Sequence, residues 1–230
     1  MNKLPLTLTA LLSLSAISQA ATVASDNFAS DGALAGQTGG TGWSGAWTGG
    51  NFTVTSGQAL AGGATTATRL FNGGAITVGT NDTLTISFDL ILAETFSGRG
   101  VGIQLLDSGG FDYYIGKRQN GSYGLHDNGG TGGADFASFA SAPINQTITT
   151  VITYDGANTS FVLSDNNETL TAYSVAGQVT VDGIGIQTLH TGTNGNGIDN
   201  LSVDLVAVPE PSASVLIGLG GIVLIMSRRK

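Results

Sequence analysis

Between residues 83 and 92 the chain alternates without a break. Leu84, Ile86, Phe88, Leu90 and Leu92 fall on one side, and Thr83, Thr85, Ser87, Asp89 and Ile91 on the other. A period of two is the side-chain period of a strand, whereas a helix would spread the same residues around its axis. Such a segment has one face to bury and one to leave in water, so it demands a second layer. Shorter runs of the same kind are expected at 52–55, 58–60, 68–71, 101–106, 112–116, 122–126, 147–154, 159–164, 169–175, 179–189 and 197–206. The chain's 36 glycines separate these runs rather than forming a repeat, and Asn120-Gly121 is a tight-turn signal between two of them. Two stretches, 39–50 with both tryptophans and 127–143, show no clear period and read as long loops. No segment reads as an amphipathic helix. About a dozen short strands at turn-separated intervals predict an all-β body of two antiparallel sheets packed face to face.

Both ends of the chain have a different character. Lys3, the apolar stretch 4–17 and Ser18-Gln19-Ala20 follow the plan of a secretory signal peptide, a helix with its cut expected after Ala20. At the other end, Pro209-Glu210-Pro211 precedes an apolar run, 213–226, and then Arg228, Arg229 and Lys230. A helix of about 14 residues reaches only about 21 Å at about 1.5 Å per residue, against a hydrocarbon core of about 30 Å. That is a short transmembrane helix, stopped by three cations that favour the cytoplasmic side. The two prolines fix φ and keep the junction extended. Three segments are therefore expected: a signal peptide at 1–20, a β-sandwich at 21–207 and a sorting and membrane segment at 208–230.

The tail, Val208-Pro209-Glu210-Pro211-Ser212 followed by a Leu/Ile/Gly segment with Gly218, Gly220 and Gly221 and a basic terminus, resembles the PEP-CTERM sorting signal recognised by exosortases. The resemblance implies an exosortase-type partner, processing near Pro209, Glu210 and Pro211, and a membrane hold by the apolar run and Arg228, Arg229 and Lys230. A tail anchor that is never cut is the plainer reading. The body resembles the concanavalin-like (LamG-like) jelly rolls found in front of such tails. The residues that carry this likeness are Asp26-Asn27-Phe28, the segment from Gly42 to Trp47, and Ile198-Asp199-Asn200-Leu201-Ser202-Val203. The likeness implies that the first and last strands pair.

Charge excludes one class of partner. The body holds Arg69, Arg99, Lys117 and Arg118 against fifteen of the sixteen acids, a net charge of −11, so no basic face is expected for nucleic acid. No cysteine is present, and stability must come from the packed core.

Catalysis is not expected. Jelly-roll glucanases need paired carboxylates, typically Glu-x-Asp-x-x-Glu, and Glu94 and Glu168 are the body's only glutamates. His126 and His190 are the only histidines; no nucleophile elbow accompanies them, and each reads as a solvent-facing polar residue. The segment 194–201 resembles a single copy of a calcium repeat that works only when stacked, and it reads better as a turn into the last strand. Calcium by another route would use Asp26 and Asp199, brought together if the first and last strands pair. Trp43 and Trp47, with Tyr113, Tyr114 and Tyr123, are either core rings or a platform for sugars. The expected function is that of an exported surface or extracellular-matrix protein with a structural or adhesive role in a polysaccharide layer. A carbohydrate-binding lectin-like module is the first alternative, and a glycan-active enzyme the second.

Overall fold

The computed structural model describes residues 20–93, 100–107, 113–118, 122–127, 135–140, 145–188 and 195–208. The expected signal and tail helices, Glu94, Arg99, the Asn120-Gly121 turn and His190 lie outside these residues. Residues Ala20–Ala207 form one compact unit. Among the described residues there is no helix, and so none long and apolar enough to cross a membrane.

The strands, in chain order, are β1 Ala20–Asp26, β2 Gly32–Ala33, β3 Trp43–Thr48, β4 Phe52–Thr55, β5 Gln58–Ala61 and β6 Thr65–Phe71. They continue with β7 Ile76–Thr77, β8 Thr83–Ile91, β9 Val101–Leu106, β10 Tyr113–Lys117, β11 Tyr123–Asp127 and β12 Asp135–Ser138. The last are β13 Gln146–Tyr154, β14 Asn158–Ser164, β15 Tyr173–Ala176, β16 Thr180–Val181, β17 Gly183–Thr188 and β18 Gly197–Val206. One sheet of nine strands runs β15-β14-β13-β8-β18-β5-β4-β2, with β1 also on β18. The other, of seven, runs β12-β11-β10-β9-β17-β6-β3, and β16 and β7 form a small third pair.

The alternation in β8 sets the centre of the larger sheet. Leu84, Ile86, Phe88 and Leu90 are buried between the sheets, facing the same core as Ile103, Ile115, Ile184 and Ile186 of the smaller one. Burying one such side chain contributes roughly 1.5–3 kcal/mol, which is what holds a cysteine-free sandwich closed. β1 and β18 pair antiparallel from Ala20 opposite Val206 to Asp26 opposite Leu201, so the first and last strands do meet.

Four expectations are corrected. The tryptophan segment is not a loop but β3, an edge strand on β6. Its register on β6 shifts by two residues between Ser44 and Thr48, with Gly45 at φ 76°, and Trp43 and Trp47, an even number of residues apart, both turn inward. The stretch 127–143 contains the short edge strand β12. Only the end of 169–175 is strand, and 179–189 divides at Asp182 into β16 and β17, which belong to different sheets.

Candidate functional site

The first group of predicted site residues lies at one end of the core. Asp26 is 4% and Arg69 is 3% exposed, and Arg69 Nη1 lies 2.9 Å from Asp26 Oδ2. The same carboxylate oxygen accepts from Trp47 Nε1 at 2.8 Å, and Oδ1 accepts from the Phe28 N–H at 2.9 Å. Arg69 also donates to the carbonyls of Gly45 and Gly39, and its guanidinium lies 5.5 Å and 5.8 Å from the Trp43 and Trp47 rings. Burial pulls the Arg69 pKa below its usual value, against the pull of Asp26. The network holds Phe28, a bulky residue at φ 48°, in a backbone conformation that it seldom adopts alone.

This environment changes the reading of three residues. Trp43 and Trp47 are 8% and 1% exposed; Trp43 stacks on Phe71, Trp47 packs tilted against Phe28, and their indole N–H groups donate to Ser25 O and Asp26. They are core rings with no open face for a sugar, as are the buried Tyr113, Tyr114 and Tyr123. The reason is local: Gly42, at φ 79°, lets the β3 entry lie directly against β1, where a Cβ would sit 1.7 Å from the Val23 carbonyl oxygen. Asp26, with both oxygens engaged inside the protein, does not join Asp199; the two line different cavities.

Asp199 has another neighbour. It stands directly opposite Asp89 where β18 pairs with β8, and β18 then carries one extra residue before Ser202 meets Ser87. The bulge puts Asn200 at φ 48° and sends its side-chain amide to Asp89 Oδ2 at 2.7 Å. Thr147 Oγ1 donates to Asp89 Oδ1 at 2.6 Å. Asp89 thus accepts a hydrogen bond on each carboxylate oxygen. The Asp199 pKa is raised, first by burial and then by the charge of Asp89, against the Asn200 N–H bond to its Oδ1. The pair lines a cavity of about 250 Å³ with Gln58, Asn145 and Thr147. Carboxylates, amides and a hydroxyl facing one hollow suit a polyhydroxylated ligand. Among the described residues no group of three or more His, Cys, Asp and Glu side chains is placed to hold a metal ion. Sequence reasoning named Asp199 but not Asp89, whose one signal was an acid in mid-strand, where Asp is disfavoured.

His126 was expected to face solvent and is instead fully buried. Its Nε2–H donates to the Gly116 carbonyl at 3.1 Å, and Nδ1 lies 2.8 Å from Asp135 Oδ1. Asp135 also takes bonds from Arg118 and Ser122, which together with His126 hold its pKa at about 2 although burial works the other way. Burial pushes the His126 pKa below its usual value, against those bonds. With Nε2 committed to a backbone carbonyl, His126 has no route to a nucleophile. Glu168 accepts the Ala140 N–H at 2.6 Å.

The fold resembles that of several solved structures. The endo-1,3-beta-glucanase from Streptomyces sioyaensis superposes with a TM-score of 0.52 at 11% identity, over 85% of this chain and 99% of that one. Similar folds include the carbohydrate recognition domain of Emp47p (TM-score 0.47, 13% identity, 81% and 98% covered). The exoplasmic/lumenal domain of VIP36 in its Ca²⁺/Man2-bound form follows (0.46, 12%, 83% and 93%). The body is a concanavalin A-like jelly roll. No curated protein matches the sequence. Residues 207–230 match the PEP-CTERM protein-sorting motif. The chain therefore ends in a PEP-CTERM sorting signal, that of an exported protein anchored by its C-terminus before processing.

Proposed function

We propose that the protein is an exosortase substrate which, once exported, serves as a structural or adhesive module of a polysaccharide layer at the cell surface or in the extracellular matrix, without catalytic activity. The observation that carries this reading is the sorting motif itself, which begins immediately after the last strand of a closed sandwich. Support against catalysis comes from the acids. Asp135 is tied to three donors and Glu168 to a backbone N–H, and where two carboxylates do face each other, at Asp89 and Asp199, Asp89 already accepts from Thr147 on one oxygen and from Asn200 on the other. The experiment is fractionation of the native host. Wild type should be recovered in the matrix or surface fraction, and a variant with Pro209, Glu210 and Pro211 replaced by Ala should stay with the membrane. Equal distribution of the two forms would refute the reading.

The lectin-like alternative is favoured by one feature, the hollow at Asp89 and Asp199 with its amide and hydroxyl lining. It predicts that Asp89→Asn loses binding on a glycan array while the fold is kept. Calcium belongs with this alternative, and calorimetry with Ca²⁺ giving neither heat nor a melting shift would remove it.

A further inference from the structure

We propose that β18 is the strand through which the body bears tension: force applied at the hollow of Asp89 and Asp199 reaches the C-terminal anchor along one continuous strand locked against sliding. The reading rests on the adhesive role above and says how that role is carried out. The tail leaves the body from its longest strand, of ten residues, and from an interior one. The sheets end instead in β15, β2, β12 and β3, which hold two to six residues and peel more easily. β18 is paired on both sides, with β8 from Gly197 opposite Ile91 to Val206 opposite Thr83, and with β1 from Leu201 to Val206. Its two ends have different roles. Asp199, near the start, lines the hollow together with Asp89, Leu90 and Ile91 at the end of β8. Seven residues further on, about 23 Å at about 3.3 Å per residue, Val206 passes into the sorting motif.

Force entering through Asp199 runs down β18 itself, and force entering through Asp89 must cross the β8–β18 ladder, which it strains from opposite ends. Force from opposite ends of two antiparallel strands strains all the rungs together, whereas force from one end opens them one at a time. Sliding is blocked twice. A slip of β18 by one residue would exchange its faces, putting Ser202 and Asp204 where Leu201 and Val203 now lie buried. The extra residue in β18 between Asp199 and Ser202 would also have to pass β8, and Asn200, at φ 48°, ties this bulge to Asp89 Oδ2. Thr22 fastens β1 to the same strand through Asp204. The hollow, the bulge and the exit of the tail thus lie in line on one strand.

The test is single-molecule pulling on the full chain in detergent, with one handle after Lys230 and the other on an introduced cysteine, unique because the chain has none. Ala93→Cys, exposed just past the end of β8, pulls the β8–β18 ladder from opposite ends; Thr80→Cys, exposed just before β8 begins, pulls it from the tail end alone. At equal force the first should unfold at least about tenfold more slowly, since forced unfolding is governed by the unfolding rate. Asn200→Gly keeps the backbone turn and removes one bond, so it should speed unfolding about threefold or more with the handle at Ala93. With the handle at Thr80 it should change the rate by less than about twofold, because the first rung to open there is Val206 on Thr83. Melting temperature checks that the variants fold, and the comparison of the two handles stands without Asn200→Gly. Equal rates from the two handles overturn the proposal, as do faster unfolding from Ala93 or an equal effect of Asn200→Gly on both. Failure of the adhesive role would appear separately, in the fractionation of the native host and on the glycan array.

Discussion

Replacing Asp26 by Asn strips the charge from a carboxylate that serves Arg69, Trp47 and the Phe28 N–H together. Arg69 would be left as a cation 3% exposed, facing two backbone carbonyls and two indole rings. Removing one partner of a buried pair costs about 3–5 kcal/mol, because the survivor keeps its desolvation penalty and loses its counter-charge. A domain holds about 5–15 kcal/mol in all, so the change takes a fifth or more of it. With a urea slope of about 2 kcal/mol per molar, the unfolding midpoint should fall by about 1.5–2.5 M with the slope unchanged. Arg69→Met removes the orphaned cation, so Asp26→Asn/Arg69→Met should be less destabilised than the sum of the two single changes by at least about 1 kcal/mol. A loss under about 0.5 kcal/mol for Asp26→Asn, or strict additivity in the cycle, would refute the view that this pair organises the end of the core.

Further outcomes follow from single residues. Gly42→Ala should destabilise by well over about 1 kcal/mol, read by thermal melting, since it adds a Cβ at φ 79° against the Val23 carbonyl. Asp199 has a folded pKa above its unfolded one, so it subtracts stability as pH rises through that window and does so fully at pH 7. Asp199→Asn should therefore melt higher than wild type at pH 7 and equally near pH 3. Asp135 is the reverse case: its folded pKa of about 2 lies below the unfolded value, so it contributes stability above that value and loses it as pH falls toward 2. Urea midpoints between pH 5 and pH 2 should drop less steeply for Asp135→Asn. Burial lowers the His126 pKa, so its NMR midpoint should lie below about 6.5, and a midpoint above that value would show that Asp135 and the Gly116 carbonyl outweigh burial.

Strands with a strict period were readable because alternation reports burial directly, as in β8, β13 and β14. What escaped has specific causes. In β3, Gly45 interrupts the apolar alternation between the two tryptophans and the register on β6 shifts there, which hides the strand. In β12 only four residues form an edge, too few to show a period. The pairing of first and last strands was legible through the Asp26 and Asp199 segments, yet the expected meeting of those two acids was not realised. Asp26 is claimed by Arg69, a cation forty-three residues away that no local pattern ties to it. Asp89 and Asp199 meet because a bulge sets their register, and register between strands so far apart in sequence is a property of the folded sheet. The sorting tail needed no fold to be recognised, since its order of prolines, apolar run and cations is local.

Intact-mass and terminal-peptide mass spectrometry of the mature protein, taken from host cells that possess the sorting enzyme, tests the central claim most directly. The prediction is a new N-terminus at Ala21 and a C-terminus at or near Pro209-Glu210-Pro211, with the apolar run and its cations gone. Recovery of a polypeptide that still ends in Lys230 as the only stable form would contradict it.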